Sequence, residues 1–150
     1  MSEATFLAAW MPHLMLAPIM LPLLSAAVML LLPEEKHRTK LVLNLGSTLL
    51  GLVITCALLV WAQQQGEPAT MGVYLPGNWP APFGIALALD RLSALMLVLT
   101  SAVGLAAALY GSARWYRAGV HYHPLFQFQL MGLSGAFLTA DLFNLFVFFE

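Results

Sequence analysis

Charge is scarce in this 150-residue chain: 9% of its residues are Asp, Glu, Lys or Arg, against 61% that are hydrophobic. Soluble domains carry about 25% charged and about 45–50% apolar residues. Too little polar surface remains to coat a water-soluble globule, and with a mean hydropathy of +0.83 the composition specifies a membrane protein. Six Lys and Arg against seven Asp and Glu give a net charge of -1, so no basic field gathers nucleic-acid phosphates and nucleic-acid binding is excluded. The single cysteine, Cys56, has no partner for an internal disulfide and reads as a small hydrophobe inside an apolar run. The first 13 residues contain no Lys or Arg, and the apolar stretch after them is too long for a signal peptide, so the first run reads as a retained anchor. Phosphate-binding loops, dinucleotide fingerprints, the nucleophile elbow and the H-E-x-x-H zinc motif are all missing from the sequence, which leaves nucleotide binding, hydrolysis and cofactor chemistry no foothold.

What the chain has is long apolar runs. Crossing a hydrocarbon core of about 30 Å takes roughly 20 apolar residues at 1.5 Å each. Leu14–Leu32, Leu41–Ala62 and Leu92–Gly111 meet this with 19, 22 and 20 residues free of charge. Pro18 and Pro22 predict a kink in the first run, and Pro33 ends it. The last 26 residues, Leu125–Glu150, are interrupted at Asp141 and Asn144. One helix there would be about 39 Å long and would bury an aspartate. Two helices fit better, Leu125–Ala140 and an incomplete span from Leu142 to Glu150, with Asp141 as the N-cap of the second. The fold class is therefore an all-α membrane bundle, with about four complete spans and the first half of a fifth. It forms the front part of a single polytopic domain.

Five of the six basic residues fall in two alternate loops, Lys36, Arg38 and Lys40 in one and Arg114 and Arg117 in the other. Excess positive charge marks the cytoplasmic side, so the amino terminus, the loop 63–84 and the turn at Asp141 face outward. Arg91, the sixth, is explained by an ion pair with Asp90. Within the outer loop, Val73-Tyr74-Leu75, a Pro76-Gly77-Asn78 turn and the chain from Trp79 onward predict a short hairpin at headgroup level, with Trp79 and Phe83 in the aromatic belt.

Glu150 is the residue that stands apart. It lies nine positions beyond Asp141, about 13 Å along a helix axis and so near the bilayer midplane. An acidic side chain there costs roughly 2.5–3.5 kcal/mol on insertion scales and characteristically marks an ion or proton pathway. The competing reading is structural, or a consequence of the sequence stopping there, where the α-carboxylate doubles the charge. Asp141 and Asn144 share a face near the outer end of the same helix; capping is the simpler role for Asp141, which lies about 180° around from Glu150. Gln127 and Gln129 sit on different faces, each suited to a hydrogen bond with a neighbouring helix. Gly132, Ser134, Gly135 and Ala136 suit close helix packing. His121 and His123 have H-x-H spacing but no Cys or carboxylate cluster beside them, so they read as interfacial residues rather than metal ligands.

Two stretches carry a family resemblance. One is Gly77-Asn78-Trp79-Pro80-Ala81-Pro82-Phe83-Gly84-Ile85 followed by Leu89-Asp90-Arg91-Leu92-Ser93-Ala94-Leu95-Met96. The other is Leu125-Phe126-Gln127-Phe128-Gln129-Leu130-Met131-Gly132 with Phe137-Leu138-Thr139-Ala140-Asp141-Leu142-Phe143-Asn144-Leu145-Phe146-Val147-Phe148-Phe149-Glu150. Both resemble the D subunit of the multisubunit Mrp-type monovalent cation/proton antiporters, over the last half of the chain by residue and over the first two helices by hydropathy. That family is similar to the proton-pumping subunits of respiratory complex I and of membrane-bound hydrogenases.

The resemblance implies that Glu150 matches a fifth-helix glutamate essential for ion translocation and that Asp141 matches the acidic residue opening that helix. The lysine with which the family pairs its glutamate lies on a later helix, beyond these 150 residues. The implied function is exchange of Na+, K+ or Li+ for protons within a hetero-oligomeric complex of the bacterial cytoplasmic membrane, with other antiporter subunits, the lipid bilayer, cations and protons as partners and no cofactor. A redox-driven proton-pumping subunit is the alternative, and a nonfunctional truncated stub the third reading.

Overall fold

Two prolines decide how the chain enters its first long helix. In the computed structural model, which describes residues 10–64, 72–77, 84–114, 119 and 121–150, a helical turn at residues 10–14 gives way to a tighter turn at 15–16. Helix α1 then runs Ala17–Leu31. Pro18 falls in its first turn, where a missing N–H costs no intrahelical bond. The expected kink is thus a break upstream of Pro18, closed by the Met15 and Leu16 N–H groups donating to the Pro12 and His13 carbonyls at 3.3 and 3.2 Å. Pro22 stays inside the helix.

Helix α2 spans His37–Gln64 and α3 spans Arg91–Arg114; both are long and apolar enough to cross a bilayer. Helix α4, Tyr122–Leu138, has 17 residues and α1 has 15. The four complete spans expected from the sequence are therefore two full-length apolar helices and two shorter ones. Helix α5, Leu142–Phe149, follows α4 after a break at residues 139–141. In the bundle α2 lies along α3, α1 along α4, α1 and α4 each also touch α2, α3 meets α4, and α5 rests on α4.

Apolar side chains lie on both sides of the bundle. Leu24, Val28, Val42, Val53, Leu92, Leu99 and Val103 point outward and are at least 48% exposed, while Met15, Ile19, Leu58, Leu97 and Leu138 pack inside. Buried among the latter are the polar residues Lys40, Asn44, Thr48, Thr55, His123, Gln127, Ser134 and Asn144. Lipid tails satisfy the apolar exterior, and hydrogen bonds between helices hold the polar interior.

The hairpin exists, with a different second strand. Strand β1, Gly72–Tyr74, pairs antiparallel with β2, Leu87–Leu89, in the register Gly72 with Leu89 and Tyr74 with Leu87. The Pro76-Gly77 turn is present, but the partner is the apolar Leu87-Ala88-Leu89, because Leu87 and Leu89 bury themselves against the helices at 1% and 2% exposure. Trp79 and Phe83 lie outside the described residues. Beyond the hairpin, Leu87 bridges to Thr139, and the Ala140 N–H donates to the Ala86 carbonyl at 2.9 Å. The irregular backbone between α4 and α5 is thereby satisfied by β2 and its flank.

Small residues bring α5 onto α4, as their sequence pattern suggests. A Cβ on Gly132 would stand 3.1 Å from the Phe148 carbonyl oxygen, and one on Gly135 would overlap the Phe148 ring. Replacing Gly135 by Leu is expected to destabilise the protein by about 1–3 kcal/mol through overpacking. Gly46→Ala, in open space within α2, is expected to be neutral or stabilising by about 0.5–1 kcal/mol. Thermal unfolding of the two variants in detergent checks the contrast.

Candidate functional site

The acidic residues singled out by sequence flank α5, Asp141 at its N-cap and Glu150 at its C-cap. Asp141 adopts an extended conformation, φ −125° and ψ 133°, and its carboxylate accepts from the Phe143 N–H at 3.3 Å. It is the N-cap the sequence calls for, and a negative charge there also suits the positive end of the helix. Asn144, buried, donates from Nδ2 to Thr139 Oγ1 at 3.0 Å and so ties the first turn of α5 back across the break.

Glu150 closes α5, its N–H donating to the Phe146 carbonyl at 3.2 Å. Its side chain is exposed at the lip of a groove of about 370 Å³ between α4 and α5, lined by Gln129, Gly132, Ala136 and Phe148 among others. The Glu150 side chain is exposed here, and α4 is the helix against which α5 mainly packs. Asp141 and Glu150 do not come together, as their angular separation requires.

A second polar centre, largely unread in the sequence, occupies the bundle interior. Asn44 and Thr48 on α2 lie one turn apart on a single face and meet Gln127 on α4. Gln127 Nε2 lies 2.7 Å from Asn44 Oδ1, 3.1 Å from the Asn44 carbonyl and 3.0 Å from Thr48 Oγ1. Ser47 Oγ donates to Gln127 Oε1 at 3.4 Å, and Ser25 Oγ on α1 is 2.7 Å from Ser47 Oγ. Asn44 Nδ2 reaches His123 Nδ1 at 3.1 Å. Deeper in, Thr55 Oγ1 donates to Ser101 Oγ on α3 at 3.3 Å. Between the two groups lies a cavity of about 20 Å³ lined by Ser47, Thr48, Thr55, Ser101, Gln127 and Ser134, together with Pro18 and Pro22, large enough for one water molecule.

His123 is therefore not interfacial in its contacts: it is 2% exposed, with Nε2 unpartnered among the described residues. Tyr122 stacks on Phe126 beside it, and its hydroxyl fills the space that the missing side chain of Gly111 leaves on α3. His121 precedes α4 without a side-chain capping bond. The two histidines of the H-x-H spacing thus part company, and among the described residues no three His, Cys, Asp or Glu side chains gather as a metal site would need. Gln127 makes the inter-helix bond its position suggests. Gln129 makes no hydrogen bond among the described residues and faces the groove beside Glu150.

Asp90 likewise departs from expectation. It forms no ion pair with Arg91; its carboxylate turns to the start of α3 and accepts from the Ser93 N–H at 2.6 Å. Hydrogen bonds from the Ser93 side chain and backbone hold its carboxyl below the ordinary aspartate value. Capping satisfies an otherwise orphaned helix N–H, which an exposed pair with a sequence neighbour would not.

Comparison with known proteins gives this geometry a context. No protein-family model matches the chain. It is 53% identical to the probable K+/H+ antiporter D subunit of Rhizobium meliloti (strain 1021) over 142 residues, 94% of this chain and 26% of that protein. It is 35% identical to the Na+/H+ antiporter D subunit of Bacillus subtilis (strain 168) over 93% of the chain and 28% of the relative. Both of these relatives are named as D subunits of cation/proton antiporters. The likeness to these proteins thus runs through the first two helices as well, where the sequence alone shows a match only in hydropathy.

Among solved structures, the chain superposes on a subunit of the Mrp complex from Dietzia sp. DQ12-45-1b with a TM-score of 0.79 at 30% identity, covering 92% of this chain and 25% of that one. It also matches a chain of the membrane-bound sulfane sulfur reductase, an archaeal respiratory membrane complex, with a TM-score of 0.74 at 27% identity over 91% of this chain and 28% of the other. The chain spans about a quarter of the length of the curated relatives it matches. With its apolar helices, this homology makes it a multi-pass membrane protein.

Gln127→Leu leaves the Asn44 amide oxygen buried without its donor and is expected to cost about 1–3 kcal/mol, whereas Gln129→Leu is expected to be close to neutral; chemical denaturation in detergent compares them. The Asp90 cap predicts a pH dependence of fixed sign. Because the folded carboxyl titrates below its unfolded value of about 3.9, its contribution is fully present above that pH and fades as pH falls through the lower folded value. Asp90→Asn is expected to flatten that part of a stability-against-pH curve.

Proposed function

We propose that this chain is the opening part of one polytopic membrane domain in a protein that exchanges a monovalent cation for protons. The single observation that carries the reading is its 53% identity, along 94% of its length, to a probable K+/H+ antiporter D subunit. In this reading Glu150 is the protonatable group of the ion pathway. It lies at the edge of the α4–α5 groove, open to a further helix and to a basic partner on it. Asp141 opens the helix that carries it. Lys36 and the first turn of α2, which carries Arg38 and Lys40, face the cytoplasm with the end of α3 at Arg114, the amino terminus lies outside, and the bacterial cytoplasmic membrane is the site of action. Other antiporter subunits surround the chain there.

The likeness to a chain of a respiratory membrane complex, with a TM-score of 0.74, supports a second reading in which the same fold pumps protons driven by electron transfer. One experiment addresses both. In everted vesicles bearing the full-length protein with its partner subunits, addition of Na+ or K+ to a preformed proton gradient is expected to dissipate it with no electron donor present. Glu150→Gln is expected to reduce that response to background, and Asp141→Ala to reduce it partially through the loss of a cap, a cost of about 1 kcal/mol. A response to cations that persists undiminished in Glu150→Gln refutes the assignment of that residue, and proton movement only on addition of a donor favours the redox-driven reading.

A further inference from the structure

The hydrogen-bond directions around His123 follow from chemistry, starting at a group with no freedom. The Asn44 backbone carbonyl can only accept, so the Gln127 terminus facing it at 3.1 Å is the NH2. Thr48 agrees: its hydroxyl proton is committed to the same carbonyl at 2.7 Å, leaving a lone pair toward Gln127 Nε2 at 3.0 Å. The Asn44 side-chain atom 2.7 Å from that NH2 must then be Oδ1. Its other end, the NH2, faces His123 Nδ1 at 3.1 Å, which must accept. The imidazole is consequently neutral, with its proton on Nε2.

No second arrangement satisfies the contacts at Nδ1, although this one leaves the Nε2 proton without an acceptor among the described residues. A proton added at Nδ1 sets an N–H against the Asn44 NH2. Turning Asn44 to offer Oδ1 instead points its NH2 at the NH2 of Gln127. Turning Gln127 in its place aims an amide oxygen at the Asn44 carbonyl. Among the described residues, the charged surroundings give an imidazolium no counter-ion. Lys40, 2% exposed, stands one turn before Asn44 on the same face of α2, with His37 beyond it. On its own helix His123 meets the edge of the Tyr122 ring. Helix α1 brings no ionisable side chain, Arg114 ends α3, and Glu34, Glu35, Lys36 and Arg38 are exposed.

We propose that His123, Asn44 and Gln127 form a proton-operated latch between α2 and α4, closed while His123 is neutral and opened when it takes up a proton. Opening separates the end of α4 that begins at Tyr122 from α2. Helix α4 is also the platform on which α5 rests, so the latch governs how firmly the segment bearing Glu150 is held. The latch itself follows from the hydrogen bonds alone and needs nothing of the transport reading.

Distance measurement between spin labels tests it in the full-length protein, reconstituted with its partner subunits. Val42 on α2 and Leu125 on α4 are 68% and 64% exposed; each is replaced by a labelled cysteine after Cys56→Ala and removal of any other cysteine. The distance is read at about pH 8 and then stepwise down to about pH 4, well below the ordinary histidine value of about 6.5, because a buried imidazole beside Lys40 protonates reluctantly. The expected result is a longer, broader distribution at the acidic end only. His123→Asn, whose Oδ1 takes the place of Nδ1 as acceptor without titrating, is expected to keep the short distance at every pH, and Asn44→Leu to give the long one throughout. If Asn44→Leu does not assemble, the comparison with His123→Asn decides. An unchanged distance in the parent, or an equal acid shift in His123→Asn, overturns the latch.

Discussion

The structure depends on one constraint: polar groups that sit among lipid-facing helices must find their partners inside the protein. Gln127 is where that constraint is met most densely. Its amide gathers the side chain and carbonyl of Asn44 and the hydroxyls of Ser47 and Thr48, and it does so across the seam between α2 and α4. Apolar packing cannot supply this specificity, because lipid tails are as good a solvent for Leu and Val as another helix is. Register along the seam is therefore set by hydrogen bonds, and the close approach of α5 to α4 by Gly132 and Gly135.

Much of the architecture is legible in the sequence because its signals are local. The two long apolar runs become α2 and α3, and Asp141 caps α5 because an aspartate before an apolar run satisfies an exposed helix start. What stays hidden depends on tertiary partners. His123 lies beside Pro124 and Tyr122, a setting that suggests an interface, and only the arrival of α2 buries it. Asp90 and Arg91 invite pairing as opposite charges, yet the helix start competes for the carboxylate and wins through Ser93. The turn does not mark the second strand of the hairpin; the burial of Leu87 and Leu89 under the helices selects it. Pro18 suggests a kink, whereas its tolerance in the first turn of a helix moves the break to residues 15–16.

The site divides in the same way. Asp141 and Glu150 are visible because charge is rare in this chain. The interior network is built from Asn, Gln, Ser, Thr and a neutral His, residues that composition counts as unremarkable and whose meaning lies in their convergence. Homology to antiporter D subunits covers a quarter of those proteins' length, and the groove beside Glu150 is bordered by α4 and α5 alone among the described helices.

Convergence has a schedule. Gln127 lies 83 residues after Asn44, and ribosomes add about 5–20 residues per second, so in a growing chain α2 waits roughly 4 to 17 s for the amide that completes it. Through that interval Asn44 and Thr48 have left the ribosome with their long-range partners still unmade. A helix in this position gains from lingering beside the insertion machinery or in a hydrated pocket rather than moving out alone into lipid. The polar seam that fixes the finished bundle is thus also a demand placed on its biogenesis, and codon-level slowing between the two residues would lengthen it.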